Sequence, residues 1–296
     1  VRALVRDANR AALPAGVEIA IGDVRDADAV ASSVRSARVI FHLAGKAHDL
    51  AERADSGEHE DVTLRGTSNV MAAAAGNIRV VFFSSLAVYG AASGRIRDED
   101  DACRPVTAYG KAKLEAEALV LGRTPSGPRS AVCLRPAMVY GPGGKGNLPR
   151  MIRSIDRGWF PPLPETQARR SVLHVTNLIQ AAMLAADHPA AAGRTYIVAD
   201  AQAYSAHEMT LLLARGLGRT VPRWTVPVRA LRAAAAVGDA AGFVLRRRAP
   251  FDSEALDRLI APAEFSAARI ARELGYAPGP TFERSIPELV SWYRGA

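Results

Sequence analysis

RVVFFSSLAVYG, residues 79–90, begins as an apolar, β-rich run and breaks at two serines and then a glycine. That pattern specifies a buried parallel strand whose C-terminal end opens into a crevice. On both sides of it, short apolar runs alternate with amphipathic stretches. VRALV (1–5) and VEIAI (17–21) read as strands, ADAVASSV (27–34) as a helix, ARVIFHLAG (37–45) as a strand, and HEDVTLRGTSNVMAAAA (59–75) as a helix leading into residue 79. Downstream come a helix around AYGKAKLEAEAL (108–119), a strand SAVCLRPAMVYG (130–141) and a helix around LPRMIRSIDRG (148–158). Such alternation builds βαβ units, so the predicted class is α/β with a doubly wound parallel sheet.

The pattern changes after TYIVAD (195–200). Ser205 to Glu208 forms a capping box for a helix that stops near Gly218, prolines follow at 222 and 227, and helices close the chain in IPELVSWYR. A smaller, mainly helical C-terminal portion is expected. VRALRAAAAVGDAAGFVL (228–245) is interrupted by Arg229, Arg232 and Asp239 and reads as an amphipathic helix pair rather than a span. Peripheral membrane contact helped by the RRR tract at 246–248 is the lesser alternative, and stable membrane insertion is not expected.

With 296 residues, 49% hydrophobic and 23% charged, the chain can bury a sizeable core as one large or two unequal domains. Its two cysteines, Cys103 and Cys133, suggest no disulfide framework and a reducing, cytoplasmic compartment. The net charge of +8 is almost wholly arginine, since only Lys46, Lys111, Lys113 and Lys145 are lysines. Two readings stand: a compositional bias on solvated faces, or attraction of anionic small molecules such as nucleotide phosphates. No nucleic-acid motif accompanies the charge, and no His/Cys/Asp spacing suggests a metal.

Against that frame Ser85 stands 24 residues before Tyr109, and Tyr109 four before Lys113. Four residues make one helical turn, so Tyr109 and Lys113 share a face. An ammonium about 4 Å from a phenol favours phenolate by about 4 kcal/mol at an effective dielectric of ~20, roughly three pKa units. Tyr109 would then exchange a proton with a carbinol while a nicotinamide ring moves hydride at the same carbon, with Ser85 holding the oxygen. Chance alone gives about 0.1 such Tyr/Lys spacings in a chain of this composition. The alternative is an exposed helical pair. Ser84 is the neighbour on the opposite strand face.

HLAG (42–45), SSLAVYG (84–90), Tyr109-Gly-Lys-Ala-Lys113, LRPAMVYGPG (134–143), RRSVLHVTNL (169–178) and the closing ELGYAP and SWYR occur in the order of the extended short-chain dehydrogenase/reductase superfamily. The chain resembles its NAD-dependent epimerase/dehydratase branch over nearly its whole length. It is most similar to bacterial nucleotide-sugar 4-epimerases and 4-keto reductases of O-antigen pathways, with counterparts for GNLPRMIRSIDRG, Arg169-Arg170-Ser171 and AAAGRTYIVAD.

That resemblance implies a Rossmann-type domain at 1–140 and 167–200 and a substrate domain at 141–166 and 201–296. It makes Ser85, Tyr109 and Lys113 catalytic. It puts the cofactor against Arg6, Asp23, Val24, Leu43, Ala44, Gly45, Tyr109, Lys113 and Pro136, with Asp23 near the adenine amine unless it is only a loop or capping residue. It puts a UDP-sugar against Ser85, His48, Asn147, Arg170 and Arg258, where Arg170 grips the diphosphate and Arg258 is a second clamp or a surface arginine. His48 and Lys46 follow the HLAG strand, where they would either border the sugar or be merely solvated loop residues, and His42 reads as packed strand. A homodimer is expected, with no nucleic acid.

Three departures from the pattern stand out. Thr63 and Met138 replace asparagines common in the family. VRALV looks like the second strand, so the first strand and the glycine-rich pyrophosphate turn, about 30 residues, are expected to be missing and to leave a gap in the sheet. The cofactor is NAD or NADP. Arg6 at the second strand's end, where an acidic residue usually meets the NAD ribose, tilts it toward NADP. Three functions share these residues: a C4 epimerase working through a transient 4-keto sugar, an NADPH-dependent 4-keto reductase, and an inactive fragment or cofactor-sensing module, against which the intact Tyr109/Lys113 pair argues.

Overall fold

The computed structural model describes residues 1–10, 13–45, 61–74, 78–122, 131–144, 146–222, 224–245 and 252–295. Strand β4 (Arg79–Phe83) lies where its sequence placed it, inside a parallel sheet of order β3 (Val39–His42), β4, β5 (Ala131–Pro136), β8 (Thr195–Val198). Val81 stands opposite Phe41 on one side and Val132 on the other. Alternate β4 side chains feed two apolar layers. Val80 and Phe82 pack with Val30 of helix α1 (Ala27–Ser33), Val70 and Met71 of α2 (Gly66–Ala73), and Ala116 and Val120 of α3 (Ala108–Gly122). Val81 packs on the other face with Ala181 and Ala185 of α5 (Val175–Asp187) and with Ile270 and Leu274 of α9 (Ala268–Leu274). Helices cover both faces, the arrangement of a Rossmann-type sheet.

Strands β1 (Arg2–Val5) and β2 (Glu18–Ile21) pair with each other in parallel. Among the described residues no ladder joins them to β3, where the sequence led us to expect a gap. Ile21 and Phe41 are exposed, at 70% and 40%.

Two expectations need correction. Residues 130–141 do not form one strand: β5 ends at Pro136, and β6 (Met138–Tyr140) starts a second sheet with β7 (Arg170–His174) and the antiparallel β9 (Ala203–Tyr204). Proline has no N–H to continue the ladder, and Ala137 N turns to Val198 O at 2.9 Å. Residues 228–245 are one helix, α7 (Val228–Leu245), not a pair. Gly238 and Gly242 cost about 1 kcal/mol each against alanine, and the surrounding alanines, the best helix formers, carry the helix through them.

The second sheet packs with α4 (Asn147–Asp156), α6 (Ala206–Leu217) and α10 (Phe282–Gly295) through Tyr140, Ile152, Val172, Leu213, Phe282 and Leu289. The predicted Ser205/Glu208 capping box is present, and Gly218 closes α6 in the left-handed conformation. Helix α7 meets α8 (Ser253–Ile260) over Leu231, Ala235 and Leu256. Among the described residues no helix is long and apolar enough to cross a membrane.

Candidate active site

At the end of β4 the two serines part. Ser84 N stays in the sheet, donating to Leu134 O at 2.7 Å. Ser85 leaves it and caps the 3-10 turn Leu86–Tyr89, its Oγ accepting from Ala87 N at 3.1 Å. Gly90 closes that turn at φ +76°, and a Cβ there would collide with the Arg104 carbonyl oxygen. Gly110 does the corresponding work on the helix side, because a Cβ on it would lie 2.6 Å from Ala87 O. With only hydrogens between them, the first turn of α3 rests on the Ser85 turn, and the Tyr109 hydroxyl is hydrogen-bonded to Ser85.

The electrostatics depart from expectation. Burial pushes the Tyr109 phenol above its ordinary range, and the Ser85 hydrogen bond offsets only part of this. The lowering expected from Lys113 does not prevail over burial, and that ammonium is turned to a backbone carbonyl. Lys113 is 4% exposed, donates from Nζ to Phe83 O at 2.7 Å and lies 4.7 Å from the centre of the Phe82 ring. Burial pulls it down to about 8, while Glu117, one turn further along α3, opposes the shift.

The β3 end meets the same place. An added Cβ on Gly45 would come 3.2 Å from Lys113 Nζ and 3.6 Å from Thr63 Oγ1, while Leu43 and Ala44 are exposed just before it. Thr63 sits in a π-helical turn, Asp61–Arg65, that leads into α2. Its Oγ1 and the Oγ of Ser84 are buried without a hydrogen-bond partner. His42 is packed in the strand, with Nε2 2.9 Å from Thr67 Oγ1, and burial pulls it down to about 3.

Arg6 and Asp23 gather at the ends of β1 and β2, close enough that the arginine charge helps hold the carboxyl low. Hydrogen bonds from the Arg25 side chain and backbone do most of that, taking Asp23 down to about 2. Arg25 also reaches Asp61 at 3.0 Å. Asp26, not Asp23, caps α1. Val24 packs on Gly66, and its carbonyl accepts from Asn69 at 3.0 Å. Pro136 ends β5, whose Leu134 O holds Ser84 N.

The expected substrate residues are more scattered. Asn147 opens α4 and lines a small pocket of about 80 Å³ with Met138, Gly141, Gly144 and Trp292. Arg170 opens β7, two residues before Val172, the partner of Met138. Arg258 lies on α8. His48 and Lys46 fall outside the described residues.

The sequence reading missed a group behind the site. Glu117 binds Arg135 through two hydrogen bonds of 2.9 and 2.6 Å, and Arg135 donates to Tyr89 Oη at 2.7 Å. The periodicity held a signal, since Tyr109, Lys113 and Glu117 are each one helical turn apart.

Residues 1–199 match the model of the NAD dependent epimerase/dehydratase family. UDP-glucose 4-epimerase of Vibrio cholerae is 31% identical over 222 residues, which span 72% of this chain and 66% of that protein. Short-chain dehydrogenase/reductase family 42E member 1 of Danio rerio is 27% identical over 311 residues, 95% of this chain and 78% of that protein. The solved UDP-glucose 4-epimerase of Thermus thermophilus, in complex with NAD, superposes with a TM-score of 0.76 at 20% identity, covering 100% of this chain and 91% of that one, a likeness of fold.

Proposed function

This chain belongs to the NAD dependent epimerase/dehydratase family, and we propose that within it the protein is a nucleotide-sugar epimerase acting at C4 of a UDP-hexose. The observation that carries this reading is the Ser85–Tyr109 hydrogen bond at the end of β4 with Lys113 one turn behind. The residues present fit a nicotinamide dinucleotide. The partnerless Thr63 and Ser84 hydroxyls are buried polar groups that cost stability until something bonds them, and Gly45, where a Cβ would press on Lys113 Nζ at 3.2 Å, lets the strand end lie close to that amine. Leu43, Ala44, Gly45, Val24, Asp23 and Pro136 would hold it with Tyr109 and Lys113. When bound, it supplies a hydride acceptor and then a hydride donor for one sugar carbon.

The chain's own residues handle the proton. Ser85 holds the C4 oxygen, Tyr109 takes its proton as the carbonyl forms, and the same phenol returns the proton after the 4-keto sugar turns over. Lys113, turned to Phe83 O here, is proposed to favour the phenolate form by its charge only in the liganded site. Asn147, Arg170 and Arg258 are proposed to hold the nucleotide end, Arg170 by the paired geometry guanidinium offers phosphate. His48 would border the sugar. A homodimer and a cytoplasmic place of action complete the reading.

The second reading is an NADPH-dependent 4-keto reductase of a UDP-deoxysugar. Two observations favour it: Arg6 beside Asp23 at the β1 end, suited to a 2′-phosphate, and a buried phenol that rests protonated, ready to give a proton to a keto oxygen. The test is to incubate the chain with UDP-glucose or UDP-N-acetylglucosamine and catalytic NAD(P), following C4 configuration by NMR. Conversion without stoichiometric reductant is expected, and conversion only with stoichiometric NADPH and a 4-keto substrate would replace the epimerase reading with the reductase. Tyr109→Phe should abolish turnover in either case. Activity within a few-fold of the parent would remove Tyr109 from the chemistry.

A further inference from the structure

The ion pair behind the site sits where apolar side chains would be the ordinary filling. Glu117 and Arg135 are 3% and 6% exposed. A buried ion pair is often no more stabilising than a packed apolar pair of the same volume, so its presence asks for another reason. Its connections supply one. Glu117 follows Lys113 by one turn of α3. Arg135 belongs to β5, and its third hydrogen bond goes to Tyr89, the last residue of the turn that Ser85 caps. One guanidinium therefore ties the Ser85 turn to the helix that carries Tyr109 and Lys113.

We propose that Glu117 and Arg135 are positioning residues for the reacting group: the pair locks the Ser85 turn against α3, and the Glu117 carboxylate keeps the buried Lys113 in its charged form. The inference rests on the reading of Ser85, Tyr109 and Lys113 given above. The groups facing Lys113 are few. Helix α3 presents Glu117, with Tyr109 one turn earlier. Strand β5 presents Cys133, β4 presents the Phe82 ring and Phe83 O, and His42 on β3 feels the lysine charge. Gly45 and Thr63 close the remaining side. Within that set Glu117 is the largest influence opposing deprotonation of Lys113. Arg135 balances the carboxylate, so that Glu117 does not draw Nζ away from Phe83 O.

The chain has only four lysines, which makes Lys113 directly observable. Reductive ¹³C-methylation followed by NMR titration of the full chain, with Lys113→Arg to assign the signal, reads its midpoint without reference to turnover. In Glu117→Gln the unbalanced Arg135 charge should move that midpoint, and the alkaline limb of kcat, down by about one pH unit or more. KM for the sugar nucleotide should change less than about threefold, because neither residue touches substrate. The double variant Glu117→Gln/Arg135→Met, which leaves no unpaired buried charge, should bring the limb back toward the parent and keep the protein folded if the single variant melts early. Equal loss of kcat at every pH, with the Lys113 midpoint unmoved, would reduce the pair to scaffolding and overturn the proposal. Tyr109→Phe, run alongside, separates the two ideas. If it stays active, the reading of the site fails and takes this inference with it. If it is inactive while Glu117→Gln titrates and turns over like the parent, the inference alone fails.

Discussion

Replacing Gly110 with alanine sets two well-measured effects against each other. Alanine is favoured over glycine in a helix by up to about 1 kcal/mol, less in a first turn, so propensity alone predicts a more stable protein. The new methyl, however, would stand 2.6 Å from Ala87 O and 3.1 Å from Pro105 Cβ. The nearer atom is backbone and cannot rotate away, so the Ser85 turn and α3 must separate by roughly half an ångström, at an overpacking cost of about 1–3 kcal/mol. The net expectation is a loss of about 0–2 kcal/mol, lowering the melting temperature by up to ~6 °C for a chain of this size. The same displacement stretches the Ser85–Tyr109 hydrogen bond. Because a 1 Å error in placement can cost about 100-fold in rate, turnover should fall about tenfold with KM little changed. Differential scanning fluorimetry and initial rates on the purified variant read both. A Gly110→Ala protein that melts higher and turns over normally would refute the close approach and with it the account of how Tyr109 reaches Ser85.

Asp23 titrates at about 2 in the folded chain against 3.8 ordinarily, so the unfolded chain takes up the proton first as pH falls. Its contribution is full above about pH 4 and gone below about 2. Since Asp23 and Arg25 are 28% and 38% exposed, it should amount to less than about 1 kcal/mol. Urea melts of Asp23→Asn should therefore be less stable than the parent at pH 7 and indistinguishable at pH 2; a gap that persists at pH 2 would mean the loss is not electrostatic. If Arg6 pairs with a 2′-phosphate as proposed, Arg6→Asp should cut kcat/KM with NADPH at least about tenfold relative to NADH. An unchanged ratio would leave Arg6 a surface residue.

The sheet was legible because RVVFFSS is continuous hydrophobic sequence ended by small polar residues, a pattern that a strand buried on both faces imposes on its own. The Tyr109/Lys113 spacing was legible for a similar reason, since a helix turn is a local fact. What escaped the sequence was non-local. Nothing in SAVCLRPAMVYG shows that Ala137 will bond Val198, so one apolar run read as one strand although it serves two sheets. Lys113 was expected to act on Tyr109, yet its nearest acceptor is Phe83 O, 30 residues earlier in the chain. Glu117 was visible as a charged residue in a helix, but its value depends on Arg135, 18 residues away on a strand. Gly110 carried no local mark of its use, because the carbonyl it must clear belongs to another turn.

The break at Pro136 has a mechanical consequence. The chain crosses between the two sheets three times, from β5 to β6, back from β7 through α5 to β8, and from β8 to β9; at the first, Ala137 N stays bonded to the sheet it leaves, through Val198 O at 2.9 Å, and at the last, Asp200 N is bonded to the sheet it enters, through Val172 O at 2.8 Å. Proline fixes one of the torsions at the first crossing, and Asp200 at the last is gripped by Tyr140, Asn177 and the His174 amide. A hinge needs a free torsion, and at both short crossings the backbone is held, while the third runs through α5, packed on the first sheet. The sheets should therefore move as a single plate, which leaves the helices of the C-terminal half as the parts able to swing over the proposed sugar nucleotide.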